Sequence, residues 1–199
     1  DYTINGADIR LGASGSTVNQ WGDGTLRIDS DILGANGIYW QKGGSGTLIL
    51  GGNNAWKAAF TIQQGVVSVG SDANLGGESG NVDVVSSDTA SKTVTLAGAA
   101  PSTLVIGSSL LGSTITAVSG TSVTLAANAN QTISTSTSIP YAIASGIVLN
   151  GGTLEASASF ALTETGATVQ NRTVTLNANG GTIQVDPAAT LTAPGAVSG

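Results

Sequence analysis

The sequence predicts an all-β protein whose short strands stack in parallel, as in a β-helix (β-solenoid). Three observations predict this fold: helix patterns are almost absent, short stretches of alternating apolar residues recur, and glycines separate them. Strands of four or five residues cannot each bury an apolar face alone, so they need parallel copies stacked in register. The aromatic content of 4% fits a narrow interior filled by Val, Ile, Leu and Ala.

The expected strands are stretches with period-two spacing and β-branched residues, which pack well on a pleated surface. The first eight cover residues 2–5, 8–11, 25–28, 47–50, 60–62, 66–69, 81–85 and 93–96. The others cover residues 103–106, 114–118, 122–125, 147–149, 153–155, 173–176, 182–185 and 190–192. Glycines such as Gly51, Gly52, Gly151 and Gly152 lie between strands, because tight corners require backbone angles that glycine tolerates.

A recurring five-residue pattern indicates a repeat architecture. It occurs as GTLRI at 24–28, GTLIL at 46–50, GTLEA at 152–156 and GTIQV at 181–185. We therefore expect turns of a β-helix over residues 1–85 and 146–199. Residues 86–145 are richer in Ser and Thr and poor in charge, and we expect either an irregular inserted β-subdomain or simply further turns there.

A longer motif spans residues 43–80. Its positions are Gly44, Gly46, Thr47, Leu48, Leu50, Asn54, Trp56, Thr61, Ile62, Gly65, Val67, Val69, Asn74, Leu75 and Gly76. This pattern resembles the autotransporter passenger-associated β-strand repeat. Trp56 stands where Tyr is usual in that family, and Lys57, Ala58 and Ala59 replace the usual Gly-Gly-Thr. Stretches at 149–162 and 180–199 are similar to the segments that come after this repeat in the family, so the resemblance covers roughly two thirds of the chain.

The resemblance implies a right-handed parallel β-helix in a large exported bacterial protein, often an autotransporter passenger. It implies roles in adhesion, aggregation and export, and an extracellular or cell-surface location, and it names no ligand. The missing initiator Met and signal peptide predict a processed product or an excised piece of a longer protein.

The composition argues against several classes of function. The chain has no Cys and no His, so disulfides, thiolate metal sites and His-based catalysis are excluded. A net charge of −6 with only 6 Lys and Arg argues against nucleic-acid binding. No apolar run approaches the roughly 18 residues of a spanning helix, so no membrane insertion of this segment is expected. We expect no cofactor, no metal and no enzyme activity.

Four aromatic residues form the candidate ligand-binding set: Trp21, Tyr39, Trp40 and Trp56. Their rings could stack on the apolar faces of sugars. Tyr39 and Trp40 are neighbours, so on a strand they would point to opposite faces and one of them is expected to face solvent. The alternative is that these rings pack in the core or at its corners.

The densest acidic group is Asp23, Asp29 and Asp31, which makes these residues weak candidates for a cation site. Asp29 and Asp31 would share one face of a strand and could hold Ca²⁺ or act as an acid–base pair on a glycoside. The alternative is a solvated turn edge, which the lack of a calcium-binding glycine-rich repeat favours.

Two functions are compatible with these patterns. The first is a non-catalytic structural or adhesive β-helix segment of a secreted or surface-displayed protein, which associates with itself, with neighbouring repeats, or with host or surface glycans. The second is a β-helix that binds or cleaves polysaccharides. The 12 acidic residues are spread along the chain, which favours the first function.

Overall fold

The computed structural model describes residues 1–11, 15–34, 40–56, 58–101, 104, 106–143, 145–165 and 169–199. Tyr39, Lys57, Thr103 and Val105 lie outside these residues. Leu104 and Ile106, the described residues of the predicted strand 103–106, do not belong to a strand. The described part is all-β, as expected, and its regular helical structure is one short 3-10 helix at Asp72–Leu75. No helix among the described residues is long and apolar enough to cross a membrane.

The strands are short, and their bounds follow the alternating stretches closely in most places. In chain order they are β1 (Tyr2–Ile4), β2 (Ile9–Arg10), β3 (Ser16–Asn19), β4 (Thr25–Ile28), β5 (Ile32–Leu33), β6 (Trp40–Gly43), β7 (Thr47–Leu50), β8 (Phe60–Ile62), β9 (Val66–Val69), β10 (Glu78–Ser86), β11 (Thr93–Leu96), β12 (Ser109–Leu110), β13 (Ser113–Ser119), β14 (Ser122–Leu125), β15 (Thr137–Ile143), β16 (Ile147–Leu149), β17 (Thr153–Ala156), β18 (Phe160–Ala161), β19 (Thr163–Thr165), β20 (Val169–Asn171), β21 (Val174–Leu176), β22 (Thr182–Val185), β23 (Leu191–Thr192) and β24 (Val197–Ser198). The predicted stretches miss the strands β3, β5, β6, β12, β15, β18, β19, β20 and β24. Several of these are only two or three residues long, and the sequences STVN of β3 and WQKG of β6 lack an alternating apolar pattern.

The chain divides into two compact units. Unit 1 comprises Asp1–Gly77, Ala144–Thr163 and Asn171–Gly199. It contains two six-stranded sheets, with the orders β1-β4-β7-β9-β17-β22 (sheet I) and β24-β21-β16-β8-β6-β3 (sheet II). All strand pairs in these two sheets are parallel. Two short parallel pairs, β2 with β5 and β18 with β23, complete the unit.

The register of sheet I aligns apolar side chains in columns, because every second residue of a strand points to the same face. Leu26, Leu48, Val67 and Leu154 are direct partners in neighbouring strands. The last three of these are completely buried. Such columns, with those of sheet II, form one apolar core whose members include Ile28, Leu50, Phe60, Ile62, Val69, Ile147, Leu149 and Val174.

Two buried asparagines tie successive strand layers together at a corner of unit 1. The Asn54 side chain accepts a hydrogen bond from the Ile32 amide at 2.8 Å and donates one to the Asn74 carbonyl at 2.7 Å. The Asn74 side chain in turn donates to the Gly52 carbonyl at 2.9 Å. Buried backbone groups at a corner need such partners, since they cannot reach water.

Glycine is required where turns of neighbouring layers approach closely, and Gly65 allows a direct test. Its φ is +65°, and a Cβ there would lie 2.6 Å from the Gly44 carbonyl oxygen. Gly180 has nearly the same φ of +63°, but nothing would lie within 4 Å of its Cβ. We expect Gly180→Ala to cost only the backbone strain of about 1–2 kcal/mol. Gly65→Ala should cost about 1–3 kcal/mol more, because it adds a steric clash.

Urea unfolding followed by circular dichroism measures both variants. Equal losses of stability in Gly65→Ala and Gly180→Ala would contradict the close approach of the turns at Gly65.

Unit 2 comprises Glu78–Ile143 with residues 164–170. Its strands form a closed barrel in the order β10-β11-β14-β13-β12-β15, and each neighbouring pair is antiparallel. The barrel has its own apolar core, which includes Val84, Val94, Leu110, Ile115 and Val123. The expected parallel stacking therefore does not extend to β10–β15. Residues 93–143 contain no charged side chain, so this stretch contributes apolar packing and neutral hydrogen bonds.

Candidate functional site

The outward face of sheet II carries a column of neutral side chains, which we call the neutral ladder. Register places its six residues side by side on successive strands: Thr17, Gln41, Thr61, Val148, Thr175 and Ser198. The next column on the same face holds further neutral residues, among them Asn19, Gln63, Asn150 and Asn177. Parallel strands lie about 4.8 Å apart, so the ladder offers one side chain at each such step.

Amide side chains along this face bind one another in the stacking direction. The Gln63 side chain donates to the Gln41 side chain at 2.7 Å. The Asn179 side chain donates to the Asn150 side chain at 3.1 Å at the turn beyond the ladder. These bonds orient the amides, and each amide keeps further donors and acceptors for an outside partner.

The outward face of sheet I differs, because it carries charge. Arg27 and Asp29 form an ion pair of 2.8 Å there, and both side chains are partly exposed. The Asp29 partner raises the pKa of Arg27, first through a hydrogen bond and then through its charge. On β22, the Gln184 side chain donates to the Glu155 carboxylate of β17 at 2.7 Å. Neutrality is therefore a property of sheet II and not of every sheet in unit 1.

Three of the four candidate aromatic residues are described, and the structure separates Trp21 from Trp40 and Trp56. Trp40 and Trp56 are buried, 2% and 1% exposed, and they pack on Phe60 in the core of unit 1. The ring centroids of these three residues lie 5.5–5.7 Å apart. Neither indole therefore offers an open face to a sugar. Trp21 is 72% exposed and can contact a ligand, and Tyr39 lies outside the described residues.

The three candidate acidic residues do not converge on one point. Asp23 is exposed, Asp29 is paired with Arg27, and Asp31 accepts a hydrogen bond from the Asn53 amide at 2.8 Å. Within the part of the chain that the structure describes, no three acidic side chains are grouped so that they could hold a metal ion.

A buried ion pair that sequence reasoning missed lies in unit 1, close to the residues at which the chain leaves and re-enters this unit. The Arg172 Nε donates to one Asp72 carboxylate oxygen at 2.6 Å, and its Nη2 donates to the other at 2.7 Å. Both side chains are almost inaccessible to water. Burial raises the pKa of Asp72, while the Arg172 guanidinium and the Thr163 amide act in the opposite direction. One hundred positions separate the partners, so no local pattern signals the pair.

Arg172 also binds backbone carbonyls beside these points of exit and re-entry. Its Nη1 donates to Leu75 at 3.3 Å and to Ser145 at 3.0 Å. Its Nη2 donates to the Asp72 carbonyl at 3.0 Å and to that of Gly76. The guanidinium therefore joins chain segments on both sides of residues 78–143, and we call this arrangement the junction ion pair.

Lys42 points into unit 1 and is completely buried. Its ammonium donates to the carbonyls of Gly43, Gly44 and Gln64 at 2.8, 2.6 and 3.2 Å. Burial lowers the pKa of this lysine below its ordinary value of 10.5. The carbonyl dipoles satisfy the three N–H donors, so Lys42 has a structural role at a corner of the stack.

The lowered pKa of Lys42 makes stability depend on pH in a defined direction. Between the pKa in the folded state and about 10.5, the unfolded chain binds more protons than the folded one. The free energy of unfolding should therefore rise as the pH rises through this window. In Lys42→Met this contribution should disappear, so urea titrations from neutral to alkaline pH should diverge for the two proteins. If the free energy of unfolding changed with pH in the same way in Lys42→Met and in the unmodified chain, the lowered pKa of Lys42 would be contradicted.

No protein-family model matches the chain, and no solved structure matches it significantly. Among curated proteins, it is 39% identical over 89 residues to the "Adhesin BmaC autotransporter" of Brucella suis biovar 1 (strain 1330). The aligned stretch is 41% of this chain and 2% of that protein, so the chain spans a small part of its relative's length. The passenger-associated repeat expected at 43–80 stays a prediction. The similarity supports a relationship between this chain and autotransporter surface adhesins.

Proposed function

We propose that the chain is a non-catalytic, adhesive segment of an extracellular bacterial surface protein, and that its parallel strands wind as a right-handed β-helix. Adhesion proceeds by contact along the neutral ladder. The ladder of one molecule lies against the ladder of another, which links the cells or fibres that carry them. The observation that carries the proposal is a column without charge over six strands of a protein whose net charge is −6.

Charge and chemistry support self-association along this face. Two molecules of net charge −6 repel each other, and the repulsion is weakest where neither surface carries charge. Hydroxyl and amide groups are both donors and acceptors, so the face is complementary to a copy of itself. Each strand contributes little, and the contacts add up because many strands bind at once.

The β-helical winding is supported by the register of the parallel sheets. Thr25 pairs with Thr47, and Thr47 pairs with Val66, so the chain returns to sheet I after about twenty residues. Between these returns it contributes β6 and β8 to sheet II. An alternation of this kind between two sheets is typical of a solenoid.

The test adds charge to successive strands of the ladder on cells that display the chain. Thr61→Lys, Val148→Lys and Thr175→Lys change three neighbouring ladder positions. A matched control changes the same residue types on sheet I, with Thr47→Lys, Val66→Lys and Thr153→Lys. Both triple variants have the same net charge, and circular dichroism checks that they fold.

We expect the ladder variant to slow cell aggregation by about tenfold or more, because like charges would face each other at each contacting strand. The sheet I control should aggregate like the unmodified chain, and each single ladder substitution should have a small effect. Equal aggregation of both triple variants and the unmodified chain would overturn the proposal.

A further inference from the structure

Two segments of the chain have the form Asn-x-Thr, which is the acceptor sequence for N-linked sugars. They are NQT at 130–132, in unit 2, and NRT at 171–173, in unit 1. The form requires a hydroxyl group two residues after the asparagine, so a transferase must contact the amide and the hydroxyl together. An acceptor segment in the folded chain therefore needs all three of its residues to be accessible.

The segment NQT meets this requirement. All three residues are exposed, and they lie in the irregular stretch between β14 and β15 of the barrel. The Asn130 backbone amide donates to the Leu111 carbonyl at 3.0 Å. The Ser87 hydroxyl donates to the Gln131 carbonyl at 2.9 Å. These bonds use backbone groups of the segment, so its side chains lie at the barrel surface on a fixed backbone.

A glycine turn beside Asn130 leaves room for its side-chain amide. Gly112 has a φ of +75°, and a Cβ at this position would lie 2.7 Å from the Asn130 Nδ2. Any larger residue in that turn would therefore crowd the acceptor nitrogen. The turn contributes only backbone on this side, and Asn130 stays exposed.

The segment NRT does not meet the requirement. Its middle residue, Arg172, is buried and is one partner of the junction ion pair. The Arg172 backbone amide donates to the Leu162 carbonyl at 2.9 Å. The Asn171 Nδ2 donates to the Pro194 carbonyl at 3.5 Å. A transferase could bend this segment only by drawing a buried charge out of the core, so we expect no transfer to it in the folded chain.

We propose that Asn130 is the acceptor of an N-linked sugar on unit 2. In the transfer, the Asn130 Nδ2 forms a bond to the anomeric carbon of a sugar nucleotide, and the bond from that carbon to the phosphate oxygen breaks. The nucleoside diphosphate leaves, and the amide proton passes to a base of the transferase. This modification goes beyond adhesion along the neutral ladder, which lies on unit 1, and does not depend on it.

The test incubates the purified, folded chain with UDP-glucose and a soluble bacterial N-glycosyltransferase that recognises Asn-x-Thr. We expect mass spectrometry to show the addition of one hexose, and peptide fragmentation to place it on Asn130. Synthetic peptides that cover residues 126–136 and 169–177 are the controls for the enzyme. Both should be modified, because neither is held in a fold.

Four variants separate the roles of the residues in the segment. Asn130→Gln and Thr132→Ala should abolish the addition, whereas Thr132→Ser should retain it because it keeps the hydroxyl. Asn128→Gln is the matched control, since Asn128 is also exposed and lies two residues earlier without a hydroxyl residue two positions after it. This variant should be modified like the unmodified chain, and circular dichroism checks that all four fold.

Three results would overturn the inference. The first is a folded chain that stays unmodified while the 126–136 peptide is modified. The second is equal modification of Asn130 and Asn171 in the folded chain. The third comes from cells that produce the parent protein: recovery of the peptide containing Asn130 only without a sugar.

Discussion

Replacing Arg172 with alanine is expected to lower the free energy of unfolding by about 3–5 kcal/mol, the usual result of removing one partner of a buried ion pair. The variant would remove the guanidinium donor from the Asp72 carboxylate and from the carbonyls of Leu75 and Ser145. These groups lie in the interior, where water cannot replace the guanidinium. Chemical unfolding followed by circular dichroism measures the loss.

Two companion variants show whether charge at the junction accounts for the loss. Arg27→Ala removes a charge pair at the surface, and we expect it to cost far less than Arg172→Ala because solvent screens that pair. Replacing both partners, with Arg172→Met and Asp72→Leu, should recover much of the stability, since no unpaired charge remains buried. If Arg172→Ala were as mild as Arg27→Ala, the junction ion pair would not hold these chain segments together.

Truncation of Trp56 to alanine is expected to lower the free energy of unfolding by about 3–5 kcal/mol. The indole is 1% exposed and contacts both Trp40 and Phe60, so its removal leaves a cavity that the narrow stack cannot easily fill. The loss is measured by urea unfolding, as for the junction variants.

Trp21→Ala provides the matched control, because this side chain is 72% exposed. We expect a stability change within about 0.5 kcal/mol of zero. Any effect of Trp21→Ala should instead appear in binding, since this is the one member of the candidate aromatic set that the described structure leaves open to a ligand. A large loss of stability in Trp21→Ala, or none in Trp56→Ala, would contradict the assignment of Trp56 to the core and of Trp21 to the surface.

The candidate site could be anticipated from sequence only in its chemistry. The charged fraction of 9% is the sequence feature that corresponds to a neutral face, but the candidates nominated from sequence were aromatic and acidic residues and none of them belongs to the ladder. Which residues share a face depends on register between strands that are far apart in the chain. Thr61 and Val148 are neighbours in the ladder although the whole barrel of unit 2 lies between them in sequence. No local pattern carries that information.

The sequence by itself determined the strands with strong alternation. The Gly-Thr patterns at 24–28, 46–50, 152–156 and 181–185 became β4, β7, β17 and β22 of a single parallel sheet. Period-two alternation fixes both the extended backbone and the buried face, so residues within one strand are sufficient to predict it. The absence of His and Cys excluded His- and thiol-based chemistry in the same direct way.

Only the tertiary structure decided the rest. Strands β10, β11, β13 and β14 overlap alternating stretches that the sequence predicts, whereas β12 and β15 do not. The antiparallel closure of all six into a barrel depends on which partners the chain can reach. Lys42 points inward, against the usual preference of lysine, because three carbonyls meet its ammonium at a corner. Asp72 and Arg172 meet across 100 residues. These features arise from contacts between segments that are distant in the sequence. Such contacts stabilise the fold only when the rest of the chain has brought those segments together.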